Sequence, residues 1–293
     1  MGQAELQPGD TIDSGHREIA DGVFAIKECI IKSPISDPVD EMREWYEPNR
    51  GLHSSQTAYL ITGDENLLFD TLTPVGDGFI LKNLKEILGD ETLDYLVISH
   101  PEANHAGNTE AILDEYPDAT LVAPARGIQH DVFGLGGDTV YVSDGDTIDL
   151  GDNTIRFEEP VFYDHAMTVW MRELRHNILF TVDWMGYEHM DSDCLCFNDE
   201  LTHELTYNQL DRFNGYAFVW YRFVDPDRTD EAVERVKADL PEMIAPAHGE
   251  IIRENVAEHL DVMKSVIRDI SETGTDYHIH THQMSSPFAK KEN

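Results

Sequence analysis

Two spacings of apolar residues alternate along this chain. Val23–Ile31 reads as a β-rich run, and residues 58–62 and 67–70 read as two strands joined at the Gly63-Asp64 turn. Phe79–Leu88 carries apolar residues at helical spacing, with Gly89 as its stop. Residues 93–99 form a buried-strand pattern that runs directly into His100, followed by a helix at 109–116 and a strand at 119–123. The middle of the chain is dense in short strands, at 139–142, 154–157, 168–171 and Ile178–Val182. Amphipathic helices at 230–240 and 255–270 flank a strand at 243–245. Each half supplies strands and a helix, and no repeat or low-complexity linker divides them. The pattern predicts one α/β domain over residues 18–272, with two sheets inside and helices outside. Residues 1–17 read as a polar, poorly ordered lead-in and 273–293 as a flexible tail. His278, His280 and His282 alternate along that tail; a metal-catching role and a plain solvated terminus are both open, the second being the default.

Charge narrows the function classes. The 293 residues hold 57 acidic against 21 basic side chains, a net charge of -36. The acids are spread along the whole chain instead of forming one tail, which suggests a protein kept soluble in concentrated salt, as in a halophile's cytoplasm. Nucleic acid and anionic membrane are excluded as partners, because both need clustered Lys and Arg. No apolar run approaches membrane-spanning length, and the N-terminus lacks a basic-then-apolar signal. Three cysteines, Cys29, Cys194 and Cys196, make no disulfide framework and suit a reducing cytosol. The Cys194-Leu195-Cys196 spacing is too short for an ordinary zinc ribbon and reads as an incidental pair.

The chemistry concentrates at strand ends. His100, Glu102 and His105 lie within six residues immediately after a buried strand, so the sheet anchors the loop that bears them. Imidazole suits zinc and iron, and carboxylate oxygen can bridge two ions. A polar turn without metal would give the same local sequence. Two further strands change the balance: Ile178–Val182 delivers Asp183, and the strand at 243–245 leads through Pro246 and Ala247 to His248, with Gly249 allowing close backbone approach. Ligand sites gather at strand C-terminal ends in layered α/β folds.

Together, H-x-E-x-N-H at 100–105, the strand ending in Asp183 with Gly186 and His189 behind it, and Ala-Pro-Ala-His-Gly at 245–249 resemble the metal-binding domain of the flavodiiron proteins, over roughly residues 20–270. The resemblance implies a four-layer αββα sandwich of the metallo-β-lactamase fold. It also implies that His100 and Glu102 hold one iron, His105 and His248 a second, and that Asp183 bridges them. Two positions depart from the family pattern. Asn104 stands where the family has an aspartate, so the site loses a charge there. Phe162 stands where the family's remaining histidine is expected, with Asp164 and His165 close by; His165 is taken as the candidate ligand. His105, His248 and Asp183 then form the two-histidine, one-carboxylate set of mononuclear iron(II) sites.

The function implied by the resemblance is binding or reduction of O2 or NO on one or two iron ions, with zinc as the other candidate metal. The chain ends soon after its last predicted helix, so a fused flavodoxin domain is not expected. Electrons would come from a separate flavoprotein or other reductase, and the family implies a homodimer. His53 and His189 are candidate proton donors at the pocket edge. Two other classes stay open: a metal-dependent ester or thioester hydrolase of the same fold, and a metal-free regulatory module.

Overall fold

The computed structural model describes residues 8–34, 45–75, 78–125, 139–190 and 194–273. The His278, His280 and His282 positions lie outside the described residues. A seven-stranded sheet runs in the order β1 (Thr11–Ala20), β2 (Val23–Ile31), β3 (His53–Ile61), β4 (Leu67–Phe69), β5 (Tyr95–Val97), β6 (Thr120–Pro124) and β7 (Val140–Val142). A five-stranded sheet has β12 (Met243–Pro246) at one edge, then β11 (Ile178–Val182), β10 (Trp170–Glu173), β9 (Thr154–Glu158) and β8 (Thr147–Asp149). Strands β1 to β4 pair antiparallel and β4 to β7 parallel, while β11 and β12 form the one parallel pair of the smaller sheet.

The period of two along each strand sorts side chains between two cores. Tyr59 and Ile61 of β3 and Phe69 of β4 join Phe157, Trp170 and Phe180 between the sheets. Their sequence neighbours Ala58, Leu60 and Leu68 face the other way, against Ile80, Leu84 and Leu88 of α1 (Phe79–Leu88) and Ile112 of α3 (Thr109–Glu115). Leu210, Val233, Leu260 and Met263 extend the inter-sheet core through α4 (Tyr207–Ala217), α5 (Pro226–Ala238) and α6 (Val256–Thr273). The result is the expected four layers: helices, sheet, sheet, helices.

Three differences from the sequence expectation have physical causes. Residues 11–17 belong to β1, which pairs with β2 from Thr11 to Ala20 instead of forming a disordered lead-in. An edge strand half-exposed along most of its length needs no apolar alternation, and this one is anchored by Arg17 on Glu200 and Asp13 on Lys82. Strand β3 begins at His53, five residues before the apolar run that marks it, and every residue of it is buried. Its polar N-terminal half is buried because it faces functional groups, so polarity misrepresents its burial. Helix α4 escaped hydrophobic patterning, yet its start is written in the sequence. Thr206 accepts a hydrogen bond from the Gln209 N–H, and the Gln209 side chain accepts from the Thr206 N–H, which is a capping box.

Phe180 lies at the centre of the inter-sheet core, with ring centroids 4.8 Å from Tyr59 and 6.0 Å from Phe69. Phe180→Ala is expected to cost about 3–5 kcal/mol, read as a lower midpoint of chemical denaturation with an unchanged slope.

Candidate metal centre

Four strand ends deliver the site. Asp70 follows β4, His100 follows β5, Asp183 follows β11 and His248 follows β12. A short helix, α2 (Ala103–Ala106), places His105 after Glu102. The backbone is strained at two of these exits. Asp70 has φ 65° and Val182, next to Asp183, has φ 57°. A β-branched residue in that region is a real outlier, and such strain persists where surrounding structure over-determines it. At Gly249, with φ 91°, a Cβ would sit 2.7 Å from the Tyr187 ring, so only glycine passes behind His248.

Each of the three histidines is held by its Nδ1. His105 Nδ1 lies 2.7 Å from Asp70 Oδ2, His248 Nδ1 is 2.8 Å from the Ser55 carbonyl, and His100 Nδ1 is 3.1 Å from Ser99 Oγ. Asp70 itself accepts from the Ser99 N–H and hydroxyl. With Nδ1 engaged in each ring, the Nε2 atoms are left for the centre. His105 Nε2 and His248 Nε2 each lie 3.1 Å from Asp183 Oδ1. His100 Nε2 lies 3.2 Å from Asp164 Oδ2 and 3.9 Å from Glu102 Oε2.

These contacts are close but are not hydrogen bonds. His100 Nε2, Asp164 Oδ2 and Asp183 Oδ1 are all buried without a hydrogen-bond partner. Buried polar atoms facing one another off-axis are costly unless a cation lies between them. His100, His105 and Asp183 offer ligand atoms within 4.8 Å of one another, a separation that fits donors around metal. Nitrogen and carboxylate donors of this kind suit iron or zinc.

The two substituted positions now have structural accounts. Asn104 Nδ2 lies 2.8 Å from His105 Nε2 and 3.3 Å from His248 Nε2, so the amide occupies the place of a ligand on that half. Rotating the amide by a half-turn would present its oxygen instead. Phe162 is core, packed against Trp184, Trp220 and Tyr221. Asp164 has moved into the space beside His100, with Oδ1 held at 2.5 Å by the Thr168 hydroxyl. His165 does not take that place: its ring stacks beside His100 with centroids 5.9 Å apart, and its Nδ1 accepts from the Met167 N–H. Asn104 is neutral where a carboxylate was expected, while Asp164 brings a carboxylate within 3.2 Å of His100 Nε2. Asp183 is held well below its ordinary range: burial would raise it, but His248 and His105 outweigh burial. Burial lifts the Asp164 carboxyl, opposed by His100.

A cavity of about 540 Å³ opens onto Glu102, Asn104, Asp164, Asp183 and His248. Its wall carries Lys32 and Arg212 on either side of Glu188, at 2.5 and 2.9 Å. Burial alone would raise the Glu188 carboxyl, but these two cations hold it at about 2. His53 and His189, expected at the pocket edge, are not among the residues lining it. Both are buried elsewhere, paired with each other through backbone hydrogen bonds of 3.0 and 3.2 Å. Asp70, the aspartate that ends the strand at 67–70, supports His105 without lining the cavity.

Residues 53–189 match the Metallo-beta-lactamase superfamily. The chain is 31% identical over 223 residues to an anaerobic nitric oxide reductase flavorubredoxin of Klebsiella pneumoniae, covering 72% of this chain and 43% of that protein. It thus spans about half the length of the curated relatives it matches. Among solved structures it is similar in fold to the flavodiiron protein of Giardia intestinalis, at TM-score 0.67 and 19% identity over 88% of this chain and 59% of that one. The rubredoxin oxygen:oxidoreductase of Desulfovibrio gigas is similar at TM-score 0.61 and 22% identity, over 88% and 61%.

Asp70→Asn is expected to leave the fold intact but release the His105 ring, weakening metal binding by roughly 10–100-fold. Competition against a chelator, with circular dichroism as the fold control, measures it.

Proposed function

We propose that this chain, a metallo-β-lactamase superfamily protein related to the flavodiiron proteins, holds iron in the His–carboxylate cluster and binds or reduces O2 or NO there with electrons from a separate partner. The observation that carries the reading is the convergence of three Nε2 atoms, each fixed through its Nδ1, on buried carboxylate oxygens that lack hydrogen bonds. His105, His248, Asp183 and the Asn104 amide would hold one ion; His100, Glu102 and Asp164, with Asp183 between the halves, would hold the other. Iron there supplies the redox chemistry for a diatomic oxidant. The chain's own residues fix the donors, bury the histidine and aspartate side chains and leave one side open at Glu102.

That open side is the cavity, which is far larger than a diatomic molecule needs and so does not restrict its entry. Lys32 and Arg212 flank Glu188 on its wall, which also carries the carboxylates Glu102, Asp164 and Asp183. Tyr216 and Val219 line the cavity and are half-exposed, and Phe223 nearby in the chain is 81% exposed. An apolar rim of this kind supports a contact surface for the second copy of a homodimer. No helix among the described residues is long and apolar enough to cross a membrane. With the dispersed acidic charge and free cysteines, this supports a cytoplasmic protein suited to high salt. A hydrolase has less support, since Glu102 replaces a histidine and Asn104 lacks the carboxylate that would orient an attacking water.

Protein prepared without oxygen or an affinity tag is expected to carry iron, and His248→Ala to lose most of it by elemental analysis. Full iron retention in that variant would sink the proposal. Asp164→Ala is expected to remove the ion beside His100 while His165→Ala keeps it; the reverse result would return His165 to the ligand set.

A further inference from the structure

A second group of metal-type side chains lies outside the cavity. Cys29, His53, His189 and Cys194 are all buried and offer ligand atoms within 4.8 Å of one another. They come from three places in the chain. Cys29 lies in β2 opposite Ser55 of β3, His53 begins β3, and His189 and Cys194 belong to the segment after β11. The His53–His189 bridge sets the two rings side by side, with centroids 5.2 Å apart. His53 Nδ1 lies 3.1 Å from Cys194 Sγ, and Cys29 Sγ lies 3.9 Å from His189 Nε2. We propose that these four side chains bind a zinc-class ion as a closed Cys2His2 site, which fastens the segment after Asp183 to β2 and β3.

The geometry is close to what such a site needs. Zinc bonds of about 2.3 Å to sulfur and 2.0–2.1 Å to nitrogen place tetrahedral ligands roughly 3.3–3.8 Å apart. All four ligand atoms lie within 4.8 Å of one another, at most about an ångström beyond this range. A hydrogen-bonded polar cluster would also bring these groups together, but it leaves atoms unexplained. His189 Nδ1 is fully buried with no partner, and so is Glu250 Oε1, although Glu250 lies 3.0 Å from His189 Nε2.

Charge closes as well. Glu250 is matched by Lys27 at 2.5 Å, both fully buried, so that pair is neutral. Two thiolates would neutralise one dication. Cys196, two residues beyond Cys194, is not part of the group. The site has four protein donors and no face on the cavity, which is the structural type of zinc site, not the catalytic type.

The test uses the whole chain, reduced and stripped of metal, with cobalt(II) as the probe. The expected result is intense four-coordinate d–d absorption together with a thiolate-to-cobalt charge-transfer band. That band must come from cysteine, so it separates this site from the His–carboxylate cluster, which has no sulfur. It should persist in His248→Ala and Cys196→Ser and disappear in Cys29→Ser, and zinc analysis should fall by a single ion per chain in Cys29→Ser. Absence of the thiolate band in folded, reduced wild-type protein overturns the proposal, and so does a Cys29–Cys194 disulfide that excludes zinc. Either outcome leaves the iron reading untouched, because iron content is measured separately.

Discussion

Buried carboxylates beside buried imidazoles are the constraint on which this structure turns. Asp70, Asp164, Asp183 and Glu250 all sit out of solvent at the ends of strands or just beyond them. Burying a charge costs far more than burying apolar surface gains, unless the charge meets a partner in good geometry. The fold meets that cost in two ways. Asp70 is satisfied by Ser99 and His105, and the charge of Glu250 is matched by Lys27 at one of its two oxygens. Asp164 and Asp183 instead face ring nitrogens with no hydrogen bond between them, which is the arrangement a cation resolves.

The two candidate metal sites share one piece of backbone. His248 reaches the cavity, Gly249 turns with φ 91° against Tyr187, and Glu250 reaches His189 on the other side. Ser55 clamps this segment from β3: its carbonyl accepts from His248 Nδ1, and its hydroxyl meets the Gly249 N–H at 2.6 Å. A shift of the segment would disturb both sites together. The segment after β11 is shared in the same way, since Asp183 serves the first site and His189 the second. A closed site there would hold Asp183 in place from outside the cavity.

Asn104 and Phe162, the two positions that depart from the expected pattern, have different structural roles. A neutral amide lies beside His105 and His248, while a carboxylate, Asp164, lies beside His100. The Phe162 ring is a core element, filling the space between Trp184 and Tyr221, so its side chain was never free to be a ligand substitute.

Much of this was legible from sequence alone. Apolar periodicity located most strands and four of the helices, because burial of one face imposes it directly. His100, Glu102, His105, Asp183 and His248 stood out because a polar side chain at the end of an apolar strand has few structural reasons to be there. What sequence could not decide were the contacts between distant segments. Strand β1 and the start of β3 carry polar side chains whose placement depends on partners far along the chain. Whether Asp164 or His165 turns toward His100 depends on the packing of Phe162 and the Thr168 hydroxyl, which spacing does not encode. The grouping of Cys29 and His53 with His189 and Cys194 spans more than 160 residues, and only the pairing of β2, β3 and the segment after β11 brings them to one point.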